Sequence, residues 1–327
     1  MERLKILNAE PDGYSHEALA ILRGIADVDL RPVTRAELLG IIAAYDAVIV
    51  RLAHRVDDEI MKKGTRLRAV VTATTGLNHI DLEAAERRGI AVLSLRGETR
   101  FLDSVTSTAE HTWGLILALA RNIPRAHASV LARQWDRDRF RGVELSGRTL
   151  GIIGYGRLGR IVAEYGLAFR MRVLAADPGV ERVSEAVCKV SLEELLQQSD
   201  VVSVHVPWSE STAGLIAGRE LAMMKPGSYL VNTSRGGIID EDALLRALET
   251  GPLAGAALDV LQDEHSGRHD WMQDNRLIAY AAGNDNLLIT PHIGGATFDA
   301  MRKTEIFMAK KLAAFLCSGG SGQAASC

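Results

Sequence analysis

The sequence predicts an α/β protein made of two doubly wound, parallel-sheet domains, the first of them discontinuous. Three observations carry that prediction. Short apolar runs alternate with helix-patterned segments along nearly the whole chain, which makes a parallel sheet covered on both faces. A glycine-rich turn, GYGRLG at 154–159, follows an apolar run and opens an amphipathic segment. That turn comes only near the middle of the 327 residues, so a complete smaller α/β unit precedes it. An apolar content of 47% and a charged content of 24% are those of a globular protein, and the length suffices for two domains.

Residues 4–10, LKILNAE, read as the first strand and 16–25 as a helix. A short strand at 28–33 precedes a helix at 35–45 with Thr34 as its cap. AVIVR at 47–51 is a strand, 57–64 a helix, and AVVTATTG at 69–76 a strand. The next helix starts on Asp81 and stops at Gly89, and 91–95 is a further strand. Residues 104–121 form a long helix, apolar almost all round from Trp113 to Ala120, so it should be buried between domains or subunits. The more polar stretch Asn122 to Gly147 carries Trp135 and Phe140 and suits an arm packed on a partner subunit.

Beyond the glycine turn, strands are read at 172–176, 201–207, 228–234, 254–260 and 287–292. Helices between them include 192–199 and 241–251, the second capped by Asp240 or Glu241 and ended by Gly251. A last amphipathic helix, 299–316, is expected to return to the first domain. The domains are therefore 1–100 with 297–327, for substrate, and 101–296, for dinucleotide. The residues after Cys317 lack periodicity and read as a mobile tail.

Net charge is −3 with no basic tract, which disfavours nucleic acid and anionic membrane surfaces. No stretch approaches the length of a membrane span, and MERLKILNAE reads as a strand start rather than a signal peptide. Cys188, Cys317 and Cys327 form no CxxC pair, so a cytoplasmic, reducing setting is expected, with Cys188 a buried thiol in a strand. Nine histidines show no ligand spacing such as HExxH, and no metal is expected.

The segment TLGIIGYGRLG at 149–159 is the most informative. Glycine at 154 permits a tight turn, at 156 a close approach of backbone to a pyrophosphate, and at 159 close packing of helix on strand. Free N–H groups at the helix start then face the diphosphate, which assigns Gly154, Tyr155, Gly156, Arg157, Leu158 and Gly159 to cofactor binding. Asp177 ends the next apolar run, eighteen residues past Gly159. A carboxylate there accepts hydrogen bonds from both adenosine ribose hydroxyls and repels a 2′-phosphate. The expected cofactor is NAD; Arg182, the nearest base, leaves some use of NADP open.

Ligands of an open parallel sheet bind beyond the carboxyl ends of its strands. There the sequence places Pro207, then Arg235 before two glycines, then Asp263 and Glu264, then His292 before Gly294 and Gly295. Arg235, Glu264 and His292 thus converge on the edge where a nicotinamide would lie. His79 and His111 read as structural histidines; His205 is either a cofactor neighbour or a buried strand histidine.

SRGGIIDEDAL, ALDVLQDE and TPHIGGAT, with GYGRLG and TGLNHID, strongly resemble the D-isomer-specific 2-hydroxyacid dehydrogenases, in the branch like D-3-phosphoglycerate dehydrogenase, from about residue 45 to 315. The resemblance implies a dimeric, NAD-dependent enzyme, with a discontinuous flavodoxin-like substrate domain around a Rossmann domain, that moves a hydride between nicotinamide and C2 of a D-2-hydroxy acid or 2-oxo acid. It implies His292 as acid/base, Glu264 as its partner and Arg235 as substrate anchor. Asp259 would hold the nicotinamide carboxamide, and Thr233 and Pro207 would line the cofactor with Thr108, His205, Val206, Thr212, Ser234 and Gly294. The N–H groups of Thr75 and Gly76 would take the substrate carboxylate.

These roles make chemical sense. Reduction of a 2-oxo acid needs a hydride at C2 and a proton at the carbonyl oxygen. A free imidazole, titrating near ~6.5, can supply or remove that proton near neutral pH. A planar guanidinium can hold carboxylate and carbonyl oxygens together and polarise the C=O. The chain departs from the family in three places. His265 stands where proline usually follows the catalytic glutamate, and Thr74 where many members have glycine. The 265–286 loop, with Trp271, Met272 and Tyr280, is longer than usual and either shapes the pocket or is a surface excursion.

Arg51 and Leu52, with His54 and Arg55, follow the 47–50 strand, where phosphoglycerate enzymes hold a phosphate. A phosphorylated or otherwise doubly anionic acid leads narrowly over a small neutral-tailed one such as glyoxylate or hydroxypyruvate. No serine-sensing domain is expected after the last helix. An NADH-sensing interaction protein of the corepressor kind is the alternative from another class; a formate dehydrogenase fits less well.

Overall fold

The computed structural model describes residues 3–264 and 270–318. The chain divides into two compact units, Met1–Ser104 with Thr297–Cys327, and Val105–Ala296. The first unit holds β1 (Leu4–Asn8), α1 (His16–Arg23), β2 (Ala26–Leu30), α2 (Arg35–Ile41), β3 (Ala47–Val50), α3 (Asp58–Lys63), β4 (Ala69–Thr72), α4 (Leu82–Arg87), β5 (Ala91–Leu93) and α5 (Thr99–Leu102). The second begins with α6 (Ser107–Ala120), α7 (Ile123–Leu131), β6 (Thr149–Ile153), α8 (Arg157–Ala168), β7 (Arg172–Ala176), β8 (Val187–Lys189), α9 (Leu192–Gln198) and β9 (Val201–Val204). It continues with α10 (Gly218–Ala222), β10 (Ser228–Asn232), α11 (Glu241–Glu249), β11 (Leu253–Leu258), α12 (Trp271–Asp274), α13 (Arg276–Gly283) and β12 (Leu287–Ile289). The chain then returns to the first unit in α14 (Phe298–Cys317).

The first unit has a five-stranded sheet in the order β2-β1-β3-β4-β5. Its central strands, AVIV and AVVT, are buried at every position because helices cover both faces. Successive residues alternate between faces. Leu7, Val48, Val50 and Val70 pack with Leu38, Ile60 and Ala84 of α2, α3 and α4. Ile6, Ala47, Ile49, Ala69 and Val71 meet α1 and α14 through Ala18, Leu22, Met308 and Leu312. Side chains of Ser15, Thr34, Asp57 and Asp81 cap the four main helices of the first segment, Thr34 reciprocally with Glu37.

The second unit has a seven-stranded sheet, β12-β11-β10-β9-β6-β7-β8, and all its pairs are parallel. One face packs Ile153, Val202, Val204, Leu230 and Leu258 under α9, α10, α11 and α13. The other packs Ile152, Val201, Val231 and Ala257 under α6 and α8. The all-round apolar character of α6 is used inside this unit. Trp113, Leu115, Ile116 and Leu119 are buried, and the Trp113 indole stacks on Phe169 at 4.5 Å and donates to the Val162 carbonyl at 3.1 Å.

One of these expectations needs correction. Cys188 is exposed, because β8 is the sheet edge and only Val187 of its three residues turns inward. The helix expected over 241–251 runs Glu241–Glu249 with Asp240 as its N-cap and Thr250 as its C-cap, so Gly251 follows its end as expected. The 122–147 stretch starts with α7, and Ile123, Val130, Leu131 and Trp135 are exposed. The described part of the 265–286 loop is mostly helical and sends Leu277 into the core, with Trp271 and Tyr280 packed beside it. His265 to His269 and the residues beyond Ser318, which include most of the expected tail, lie outside the described residues. Among the described residues, no helix is long and apolar enough to cross a membrane.

Candidate active site

The glycine turn between β6 and α8 has the shape its three glycines call for. Gly154 sits at φ +90°, and a Cβ there would lie 2.9 Å from the His205 backbone. A Cβ on Gly159 would meet the Gly154 carbonyl oxygen at 2.1 Å. A Cβ on Gly156 would meet nothing within 4 Å. So Gly154 and Gly159 are glycines for internal packing, whereas Gly156 borders open space at the N-cap of a twelve-residue helix. That cradle fits a diphosphate. Asp177 closes it at the end of β7. One carboxylate oxygen accepts from Tyr155 N at 2.8 Å and the other from Gly179 N at 2.8 Å. The residue therefore also caps a turn, leaving its remaining lone pairs for hydroxyl donors.

The loops after β10, β11 and β12 bring together the three ionisable groups expected there. A Cβ on Gly236 would strike the Leu261 backbone at 2.1 Å, so glycine is what lets the Arg235 loop approach the loop carrying Glu264. His292 Nδ1 lies 3.1 Å from Glu264 Oε2. Arg235 donates to the Ser234 carbonyl at 2.6 Å. Burial lowers the Arg235 guanidinium pKa, and the nearby Glu264 charge opposes that shift.

Asp259 organises the histidine loop. His292 has φ +54°, a left-handed conformation that costs a non-glycine residue energy. Its N–H donates to the Asp259 carbonyl at 2.8 Å. The Asp259 carboxylate accepts from Thr290 Oγ1 at 2.6 Å, Ile293 N at 2.9 Å and Gly294 N at 2.8 Å. Burial works to raise the Asp259 pKa, but donors led by His111 and Thr290 outweigh it and hold the group below its usual value. Glycine at 294 is required because a Cβ would lie 2.9 Å from that carboxylate and 3.2 Å from Thr108.

Sequence reasoning missed His111. Its Nε2 lies 3.0 Å from Thr290 Oγ1 and 3.2 Å from Asp259 Oδ1, so it belongs to the site's framework. Its place on the helix, 148 residues before Asp259, gave no signal of that contact. Thr233 is buried and shares a 2.8 Å hydrogen bond with Thr112 of α6. Ser234 is tied to Asn232 Oδ1, and Thr212 to the Pro207 carbonyl. His205, beside Val206, pairs with Ser203 Oγ at 2.8 Å, and burial drives its pKa down to about 4, so it is neutral at physiological pH.

In the first unit, Arg51 and Leu52 follow β3 and Thr75 and Gly76 follow β4. Arg51 is paired with the buried Glu305 at 2.7 Å and donates to the Asp12 carbonyl at 2.8 Å. His54 is buried and Arg55 exposed. The β4 turn is ordered by Thr74, whose hydroxyl donates to the Gly76 carbonyl at 2.8 Å.

The D-isomer specific 2-hydroxyacid dehydrogenase NAD binding domain family matches residues 113–294. The chain belongs to this family. It therefore carries an NAD-binding domain, and the open cradle at Gly156 with Asp177 beside it suits that cofactor. The chain is 37% identical to D-3-phosphoglycerate dehydrogenase of Synechocystis over 92% of its own length and 52% of that protein. It thus spans about half the length of such relatives. It is 36% identical to a hydroxypyruvate reductase of Thermotoga maritima, over 92% of this chain and 95% of that one. Among solved structures, D-lactate dehydrogenase from Aquifex aeolicus, complexed with NAD and lactic acid, superposes with a TM-score of 0.83 at 31% identity, covering 97% of this chain and 96% of that one.

Proposed function

We propose that the protein is an NAD-dependent oxidoreductase acting at C2 of a D-2-hydroxy acid and its 2-oxo counterpart. The observation that carries this reading is the 3.1 Å contact of His292 with Glu264, beside the half-buried Arg235. With Nδ1 turned to Glu264, His292 Nε2 is the atom that gives a proton to the carbonyl oxygen in reduction and takes it back in oxidation. Glu264 fixes the ring orientation and stabilises the imidazolium. Arg235 holds the substrate's oxygens and stabilises negative charge on the carbonyl. Bound NAD supplies or accepts the hydride. Asp259, kept ionised, holds the histidine loop in its strained form and offers a carboxylate to the carboxamide. The amides of Thr75 and Gly76 take the substrate carboxylate, and Leu52 and Arg51 border its far end.

The turn from Gly154 to Gly159 holds the diphosphate and Asp177 the ribose. Thr108, His205, Val206, Pro207, Thr212, Thr233, Ser234 and Gly294 line the remaining cofactor cleft. The exposed apolar side chains of α7 and Trp135, the last 89% exposed, suit a homodimer, and the exposed thiols of Cys188 and Cys317 suit the reducing cytoplasm.

Among acids, a phosphorylated three-carbon substrate accords with the phosphoglycerate relatives. An unphosphorylated one such as hydroxypyruvate is favoured by the committed Arg51 and by a reductase matched over nearly its whole length. The test is NADH oxidation at neutral pH with glyoxylate, hydroxypyruvate, phosphohydroxypyruvate, pyruvate and oxaloacetate, ranked by kcat/KM. Turnover of at least one acid is expected. Tight NADH binding with negligible rates on all five would instead favour an NADH-sensing interaction protein.

A further inference from the structure

The loop after β3 is built like an anion site. Four successive backbone N–H groups converge on one point: those of Arg51 (2.9 Å), Leu52 (3.2 Å), Ala53 (3.2 Å) and His54 (3.2 Å). Such a concavity of consecutive amides binds phosphate or carboxylate. Here its occupant is the chain's own Glu10, which follows β1 and accepts two of these bonds on each carboxylate oxygen. The neighbouring cation is committed as well, since Arg51 meets Glu305 at 2.7 Å, and Glu305 in turn accepts from Ser15 N at 2.7 Å. The adjacent β4 turn, Thr72 to Gly76, carries no charge. The loop's amides and the Arg51 charge are therefore both satisfied internally, and an arriving phosphate would meet the Glu10 carboxylate.

We propose that Glu10 is a specificity-determining residue: it fills the anion-binding concavity of the 51–54 loop from within and selects a substrate whose far end is uncharged. The substrate class is then a monoanionic 2-oxo acid with a short neutral tail, hydroxypyruvate rather than its 3-phosphate. This rests on the dehydrogenase reading above.

The test compares wild type with Glu10→Ala and the near-isosteric Glu10→Gln, which keeps the loop's shape if the alanine variant misfolds. Inorganic phosphate binding is followed by calorimetry, with no turnover required. In parallel, kcat/KM is measured for hydroxypyruvate and phosphohydroxypyruvate. Wild type should prefer hydroxypyruvate at least tenfold. Glu10→Ala should bind phosphate at least tenfold more tightly than wild type and move the substrate ratio at least tenfold toward the phosphorylated acid, with Glu10→Gln moving both the same way. A wild type that prefers the phosphorylated acid overturns the proposal, as does a folded variant with unchanged phosphate affinity and substrate ratio. Absence of turnover on every acid would instead strike the dehydrogenase reading, and the phosphate measurement would still decide the role of Glu10.

Discussion

The carboxyl edge of the seven-stranded sheet is poised for ligands, whereas the matching edge of the five-stranded sheet is largely closed by its own side chains. At the first edge Gly156 borders open space, Arg235 is half-buried near the Glu264 charge, and His292 is held in a left-handed conformation. At the second, Glu10 saturates four amides and Glu305 neutralises Arg51. The same α/β architecture thus gathers ionisable groups beside an open glycine cradle in one unit and a charge-compensated loop in the other. Internal pairing decides the difference, since both edges carry arginine.

The sharpest way to break this comparison is to alter each arginine. Arg235→Lys keeps the charge but loses the planar fork, and should lower kcat/KM by about 10²–10³-fold. Arg51→Ala should act mainly on stability, because it removes the cationic partner of the buried Glu305 carboxylate and leaves it only the Ser15 N–H. A loss of about 2 kcal/mol in urea unfolding is expected, below the range for fully buried pairs since Arg51 is partly exposed. Equal kinetic damage from both variants would dissolve the distinction.

Smaller effects refine the picture of the open edge. Asp177→Ala should erode the preference for NAD over NADP by about 10–100-fold, as expected for hydrogen bonds to a charged group. An unchanged ratio would put cofactor specificity elsewhere. His111→Ala should reduce kcat about tenfold by loosening Asp259 and Thr290, with His111→Gln recovering most of it and NADH affinity little affected. A purely structural His111 would instead lower thermal stability and leave kcat per folded molecule unchanged.

The smallest expected effect concerns His205. Its folded-state pKa, about 4, lies below the ordinary 6.5, so the unfolded chain binds the proton more readily. Stability should therefore fall as pH drops from 6.5 toward 4. His205→Gln should flatten that slope in urea titrations at pH 7 and pH 5. An identical slope would assign the acid sensitivity to other groups.

Much of this was legible in the sequence because local chemistry wrote it there. The glycines at 154, 156 and 159 each answer a different steric demand, and β-branched runs such as AVIV need two covered faces. Arg235, Glu264 and His292 follow successive strands, so parallel topology alone sends them to one edge. What stayed hidden depends on contacts far apart in sequence. Nothing around Glu10 points to a loop more than forty residues later, and Arg51 reads as a free phosphate-binding cation until Glu305 of α14 is seen against it. His111 likewise resembles an ordinary helix histidine until β12 brings Thr290 beside it. Cys188 is exposed although it lies in a strand, because burial in a strand depends on whether that strand is central or at the edge.

The group proposed to move the proton is His292. It is tested by placing asparagine there and measuring NADH binding by fluorescence alongside steady-state turnover of the best 2-oxo acid. The expected result is a dissociation constant for NADH within about threefold of wild type and a kcat lower by about 10³-fold or more. Turnover near the wild-type rate in that variant would contradict it.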